Sequence, residues 1–568
     1  MPKILSGIQT HKTYRQIALL FCLLVYTSSA SASGSVAARH GMVVSSEPLA
    51  SEVGVEILKA GGNAVDAAVA VGFALAVTHP EAGNIGGGGF MLVRRANGES
   101  IVVDYREEAP GAATRKMYLD GSGKLIPNAS TVGARAGAVP GTVAGLALAH
   151  HKYGKLTWRR VLQPAIRLAS NGFPVSYELS KSLEGDRAIL SEFAATRRIF
   201  LRNGHPYEPG EVFRQPDLAR TLRRIAANGP EAFYGGPIAS AIVASTHKHG
   251  GLISLEDLRQ YEAKIREPLR GTFRGYEILS VPPPSSGGVG LIEMLNVLEP
   301  MDLGHPNSFH SIHLIAETMR RAYADRAAYL GDADFVAMPV KGLINKTYAA
   351  RLREEILQTK PEAQVLAGKP QSFEASETTH YSVVDAEGNA VANTYTLNGS
   401  YGSGFTIEGA GFLMNNEMDD FTTKPGEPNM FGLLQGEANT IAPRHRPLSS
   451  MTPAIVVKDG NVRLVLGSPG GGTIINTVLQ VLLNVVVFNM DIRHAVASPR
   501  FHHQWMPDHL ILERWGFSAD TIQKLQEAGY TLEFREKMGA CEAIEVDSRT
   551  GWRFGAADPR TGGKEVGY

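Results

Sequence analysis

The chain has 568 residues, 43% of them hydrophobic, enough for one large layered core or several separate domains. Its 56 Lys and Arg balance its 56 Asp and Glu, so no global field favours nucleic acid or an anionic membrane, and a small-molecule substrate is expected. Neither a repeat of fixed period nor a low-complexity tract is present, which excludes solenoids and propellers.

In chain order, Met1–Ala32 begins with Lys3, Lys12 and Arg15, continues through the apolar run Ile17–Tyr26 and ends on Ala30-Ser31-Ala32. That is the order of a secretory signal, and the apolar run is too short to span a bilayer. Cleavage after Ala32 is expected, giving a periplasmic or secreted protein with no stable membrane anchor once the signal is gone. Bulky Phe21 before Cys22 argues against lipidation. The mature chain keeps one cysteine, Cys541, so no internal disulfide is available and stability must come from packing.

Met42–Val44 reads as a strand, followed by a helix opened by Ser46-Glu47-Pro48 and stopped by Gly61-Gly62. A second helix from Asn63 to about Thr78 is apolar on nearly every face and should be buried. Asp66 and its modest length weigh against a membrane span. The glycine run Gly86–Gly89 enters a strand but lacks the Lys-Ser/Thr of a phosphate loop, and reads as architecture near the active centre. A hairpin ending at Val102–Asp104 then delivers Arg106, whose fork suits a carboxylate. A surface ion pair with Glu107 or Asp104 is the competing reading.

Residues 140–370 are mainly helical by their apolar spacing, with helices over Thr157–Asn171, Asp217–Asn228, Ser254–Tyr261 and Phe309–Leu330. Strands at Leu269–Phe273 and Tyr276–Val281 interrupt them before Pro282-Pro283-Pro284. The stretch 358–377 is polar with little periodicity, a place where a chain cut is tolerated.

Glu377-Thr378-Thr379-His380 then leads into an alternating run that reads as one strand of a hairpin, turning at Asp385–Asn389. A threonine hydroxyl needs a base, and an N-terminal threonine carries one in its own α-amine, with a pKa of roughly 8. Cutting the Glu377–Thr378 bond would create that arrangement; an ordinary strand start, where threonine is favoured, is the alternative. Three clusters follow. Asn415–Phe421 gathers three carboxylates and two amides, suited to an amine or to calcium but without the spacing of a calcium loop; a solvated turn is the plain alternative. Pro447–Pro453 places paired hydroxyls before the strand Ala454–Val457. Gly467–Thr473 joins the strand Val462–Leu466 to a helix running to about Asn489, and its backbone N–H groups suit an oxyanion, with a phosphate site or a structural turn as alternatives.

The segments Thr378–Ser382, Pro447–Met451, Gly467–Gly471, Asp104–Glu107 and Asp558–Arg560, in this order-preserving set from about Arg39 to Tyr568, resemble the γ-glutamyltransferase (glutathione hydrolase) family. The resemblance implies an α+β fold, the four-layer αββα sandwich of N-terminal-nucleophile hydrolases. It implies a precursor that loses residues 1–32 and cuts itself between Glu377 and Thr378, leaving a large chain 33–377 and a small chain 378–568 as an interwoven heterodimer. By the same resemblance Thr378 is the nucleophile, Thr396 its orienting hydroxyl, and Gly470 and Gly471 the oxyanion hole. Arg106, Ser449 and Ser450 take the substrate α-carboxylate, and Asn398, Glu417 and Asp420 its amine end. The implied partners are a γ-glutamyl substrate and a water or amino-acid acceptor, with no metal and no organic cofactor. Residues Thr422–Asn439 resemble a lid, with Phe431 where several relatives carry tyrosine, so a hydroxyl contact to Asn398 is expected to be missing and the lid less tightly latched. The alternatives are an acylase or poly-γ-glutamate-cleaving enzyme of the same fold, or a secreted binding protein for acidic amino acids that never matures.

Overall fold

Two seven-stranded sheets, antiparallel throughout, form the centre of the structure, a computed structural model that describes residues 35–358 and 378–568. The expected signal Met1–Ala32 and most of the polar stretch before the expected cut, Glu377 included, lie outside the described residues. The first sheet runs Lys564–Gly567, Met42–Ser45, Thr379–Val384, Ala390–Thr396, Gly88–Arg94, Ser100–Asp104, Lys264–Arg266. The second runs Val36–Ala38, Arg553–Ala556, Ala543–Val546, Asn461–Leu466, Ala454–Lys458, Tyr276–Ser280, Leu269–Phe273.

Side-chain alternation turns these sheets into layers. Met42, Val44, Phe90, Leu92, Val384 and Ala392 of the first sheet meet Leu279, Ile455, Val465 and Ile544 of the second in one apolar cluster. The opposite faces carry helices. Val43, Met91, Tyr381 and Tyr395 pack under the helices Pro48–Lys59 and Ala64–Thr78, while Ile278, Val456 and Leu464 pack under Gly287–Leu298, Phe309–Tyr329 and Ile474–Val486. The result is the αββα order expected from the sequence.

The helix Ala64–Thr78 is buried at every position and closed by a capping box between Asn63 and Asp66. Asp66 is thus a cap, also accepting from the Lys155 amide at 2.9 Å. Among the described residues no helix is long and apolar enough to cross a membrane. The central hairpin pairs Thr379 with Tyr395 through to Val384 with Ala390. Its turn residue Asp385 accepts from the amides of Glu387 and Asn389 at 3.0 Å and from that of Ala64 at 2.9 Å, so one carboxylate shapes the turn and caps the buried helix.

Several helices have no clear periodic signal in the sequence, including Thr142–Tyr153 and Gly287–Leu298. The latter opens on glycines because the chain passes against it: a Cβ at Gly287 would lie 2.2 Å from the carbonyl oxygen of Met451. The helix after the last glycine cluster ends at Val486, short of Asn489. The run Gly86–Gly89 is architecture, as expected. A Cβ at Gly87 would lie 1.9 Å from the Thr396 carbonyl oxygen, and Gly87 itself accepts from the Gly141 amide at 2.8 Å. Gly87→Ala is therefore expected to displace Thr396 and cost at least about 1–3 kcal/mol; a lowered urea midpoint with unchanged slope checks it.

Candidate active site

Extending the hairpin register by one pair sets Thr378 beside Thr396 at the end of the first sheet, where both are buried. A small cavity there, about 20 Å³, is lined by Thr378, Thr396 and Gly471. Arg106, Asn398, Glu417, Asp420, Ser449 and Ser450 line the same cavity. Residues separated by more than three hundred positions thus meet at one point. Gly470, next to Gly471 in the same turn, lines the neighbouring cavity.

Arg106 leaves the strand Ser100–Asp104 and is wholly buried, so the surface ion pair weighed against it is not what forms. Its amide donates to Asp104 at 3.0 Å, its Nε to the Pro447 carbonyl at 3.1 Å, and its own carbonyl accepts from Tyr261 at 2.9 Å. Asp104 is held in turn by Arg446 at 2.7 Å and Arg266 at 2.6 Å. The guanidinium donates directly to Glu417 and, at 2.5 Å, to Asp420, with Glu107 at 3.6 Å. The fork and the carboxylates, expected to take opposite ends of a substrate, here touch each other. Buried opposite charges pair when nothing lies between them.

Three carboxyls around one guanidinium cannot all ionise cheaply in a buried site. Burial raises Glu417 well above the carboxylate range and raises Asp420, in both cases against the pull of Arg106. Burial likewise pushes Glu107 up to about 7. Burial alone would lower Arg106, but Glu417, Asp420 and Glu107 together raise it. Arg106 is therefore the fixed cation of the cluster, and its carboxyls are harder to ionise than free ones.

The cluster Asn415–Phe421, far from a solvated turn, is buried, with Glu417–Asp420 as a short 3-10 helix. Asn415 donates to the carbonyls of Gly86 and Ala138 at 2.8 and 2.9 Å, and its oxygen accepts from the amide of Glu417 at 3.1 Å. Asn398 has φ of 80°, a left-handed conformation asparagine tolerates. Its amide donates to the Thr396 hydroxyl at 2.8 Å, and its side chain donates to the Asn416 carbonyl at 3.2 Å.

Ser449 and Ser450 are positioned from beneath by the segment after the three prolines. The Ser449 amide donates to the Pro284 carbonyl, and the Ser286 amide to the Ser449 carbonyl, both at 2.8 Å. Arg326, a buried residue of the long helix Phe309–Tyr329, donates to Ser286 at 2.9 Å and to Ser450 at 3.2 Å. Nothing in a helical sequence distinguishes this arginine from a solvated one, and sequence reasoning missed it. Gly470 and Gly471 have φ of 133° and 50°, conformations that need glycine. His380, next but one to Thr378, is not a base beside it: its ring is buried, meets the hydroxyls of Thr394 at 2.8 Å and Ser382 at 3.1 Å, and burial lowers it to about 3.

The segment Thr422–Asn439, expected to be a lid, has these contacts around Phe431. Asn429 donates to Asp420 at 3.0 Å, the Met430 amide to Asp419 at 2.8 Å, and Gln504 to the carbonyls of Phe431 and Gly432 at 3.3 and 3.1 Å. Asn398 meets the Met430 thioether at 3.7 Å, and Phe431 lines the cavity.

Comparison with known proteins places this geometry in a family. A model of the family described as gamma-glutamyltranspeptidase matches residues 50–568. The glutathione hydrolase proenzyme of Escherichia coli (strain K12) is 48% identical over 531 residues, covering 93% of this chain and 91% of its own. Among solved structures, the gamma-glutamyltranspeptidase of Helicobacter pylori is 47% identical, with a TM-score of 0.54, 55% of this chain and 90% of its own covered. The cephalosporin acylase of Bacillus halodurans is 28% identical, with a TM-score of 0.83, 94% of this chain and 97% of its own covered.

Asp419, which accepts from the Met430 amide, supplies a pH test. Burial raises its carboxyl from 3.8 to about 6, although the Met430 amide and Ser130 hydroxyl favour the ionised form. A group raised on folding contributes fully below its unfolded pKa and loses that contribution as pH climbs through the folded one. Stability of the wild type relative to Asp419→Asn should therefore fall between pH 4 and pH 6.5, by on the order of 2–3 kcal/mol. Denaturant midpoints of both proteins across that range check it.

Proposed function

The chain belongs to the gamma-glutamyltranspeptidase family of glutathione hydrolases, and from that membership we propose that it cuts itself before Thr378 and then moves γ-glutamyl groups from glutathione and related γ-glutamyl amides to water or to an amino-acid or peptide acceptor. The proposal includes export under the signal 1–32 and a heterodimer of chains 33–377 and 378–568. One observation carries it: a single buried cavity gathers two threonine hydroxyls, one of them at the expected cut, with a guanidinium and carboxylates that match the two ends of an α-amino acid.

In the precursor the Thr378 hydroxyl attacks the Glu377 carbonyl carbon, the Glu377–Thr378 amide breaks, and an ester with a free α-amine results. Water hydrolyses the ester, leaving Thr378 as an N-terminal residue beside its own base. In the mature enzyme that amine takes the hydroxyl proton while Oγ1 attacks the γ-amide carbonyl. Backbone N–H groups of Gly470 and Gly471 hold the developing oxyanion. The C–N bond then breaks, the amine returns its proton to the leaving nitrogen, and a γ-glutamyl-threonine ester remains. Water or an acceptor amine attacks that ester, and Thr378 recovers its proton. Thr396, whose hydroxyl accepts from the Asn398 amide at 2.8 Å, holds the Thr378 hydroxyl in line.

Substrate binding follows from the ion cluster. The zwitterionic end of a γ-glutamyl group enters by exchanging partners: its carboxylate takes Arg106 with Ser449 and Ser450, and its ammonium takes Glu417 and Asp420. Each group of the cluster exchanges one oppositely charged partner for another, so the new pairs offset the desolvation penalty of separating the old ones. An acyl group without an α-amine would leave Glu417 and Asp420 unpaired, which weighs against an acylase acting on such groups.

Intact mass under denaturing conditions tests the reading. The wild type should resolve into two chains, the smaller beginning at Thr378, and Thr378→Ala into one uncut chain devoid of γ-glutamyl transfer. A single chain in the wild type would overturn the proposal.

A further inference from the structure

Beyond the glycine turn lies a second cavity of about 460 Å³, within the range of small-molecule sites. Phe431 lines both cavities; Gly471 opens to the smaller, Gly470 and Gly472 to the larger. The ester formed on Thr378 therefore stands at the wall between them. The larger cavity carries four cations on its sides, Arg514, Arg535, Lys537 and Arg560. Three have carboxylate partners: Arg560 meets Glu513 at 2.6 and 2.5 Å and Asp558 at 3.1 Å, Arg535 meets Glu533 at 2.9 Å, and Arg514 meets Glu536 at 3.4 Å. Lys537 donates only to the Arg560 carbonyl, at 3.3 Å, and no carboxylate of the described residues lies within ion-pair distance of it.

We propose that this cavity holds the amine-bearing half of the reaction, and that Lys537 binds the free carboxylate of an amino acid or short peptide lying there with its amine toward the Gly470–Gly471 turn. The inference rests on the γ-glutamyl-transfer reading above and adds Lys537 as the residue that selects an acceptor with a free carboxylate. An amino acid or dipeptide carries one amine, which must reach the ester, and one carboxylate, which must find a cation away from Glu417 and Asp420. An ammonium with unfilled donors satisfies the second need without breaking an existing pair. Exposed Phe534, also on the wall, offers apolar contact to the acceptor's side chain. In the transfer step the acceptor nitrogen bonds to the ester carbonyl carbon, the bond to Thr378 Oγ1 breaks, and the proton lost by the acceptor restores the threonine hydroxyl through its α-amine.

The experiment compares two acceptors, glycylglycine and glycylglycinamide, with γ-glutamyl-4-nitroanilide as donor, in the wild type, Lys537→Glu and Lys537→Arg. The wild type should prefer the free carboxylate in acceptor KM by roughly two- to fivefold, Lys537→Glu should abolish or invert that preference, and Lys537→Arg should restore it. An undiminished preference in Lys537→Glu, or none in the wild type, overturns the inference while leaving the functional reading intact. No release of 4-nitroaniline by the wild type overturns both.

Discussion

One buried guanidinium among three carboxyls sets the character of the site. Arg106 has no solvent and spends its donors on Glu417, Asp420 and the Pro447 carbonyl, with Glu107 alongside. Such a cluster is costly to assemble, because each charge loses its hydration, and it persists only if the surroundings leave the groups nowhere else to go. The amides Asn415, Asn429 and Asn439 supply that constraint: Asn439 donates to the Asp420 carbonyl at 2.7 Å and accepts from Leu448 at 2.9 Å, tying the carboxylate segment to the serine segment. The cluster is thereby held as a fixed arrangement of one cation and several carboxyls.

The rest of the fold serves to bring that cluster against Thr378. The central hairpin is buried on both faces, so its register cannot slip without moving a set of apolar side chains into the wrong layer. That rigidity fixes Thr378 beside Thr396. Glycines do the remaining positioning, since the carbonyls of Thr396 and Met451 come so close to Gly87 and Gly287 that any side chain there would collide. The Gly470–Gly471 turn divides the space above the sheet edge into a tight, charged compartment and a wider one whose cations are mostly neutralised. Two compartments sharing one wall suit a reaction in which one half of the substrate stays and the other is exchanged.

Much was legible in the sequence wherever the signal is local. The hairpin, the buried helix Ala64–Thr78 with its Asn63 and Asp66 cap, and the strands around the three prolines follow from periodicity and capping chemistry. The resemblance named the site residues, and nine of them line one cavity. Helices such as Gly287–Leu298 escaped because glycine is a poor helix former and their position is dictated by a neighbouring segment far away in sequence. The Asn415–Phe421 cluster looked compatible with a solvated turn because side-chain polarity alone does not reveal that its neighbours are the carbonyls of Gly86 and Ala138.

By itself, then, the amino-acid order determined most of the elements, since these depend on residue type and short-range spacing, while the expected cut and the expected site residues came from the family resemblance. Only the tertiary structure decided how those groups are satisfied: that Arg106 grips Glu417 and Asp420 directly, that Arg326 stands behind Ser450, that Asn429 and Gln504 fasten the segment around Phe431, and that Lys537 is left with a carbonyl alone. Pairing between buried charges is a matter of distance and desolvation, and these are set by the packing of two sheets and their helices.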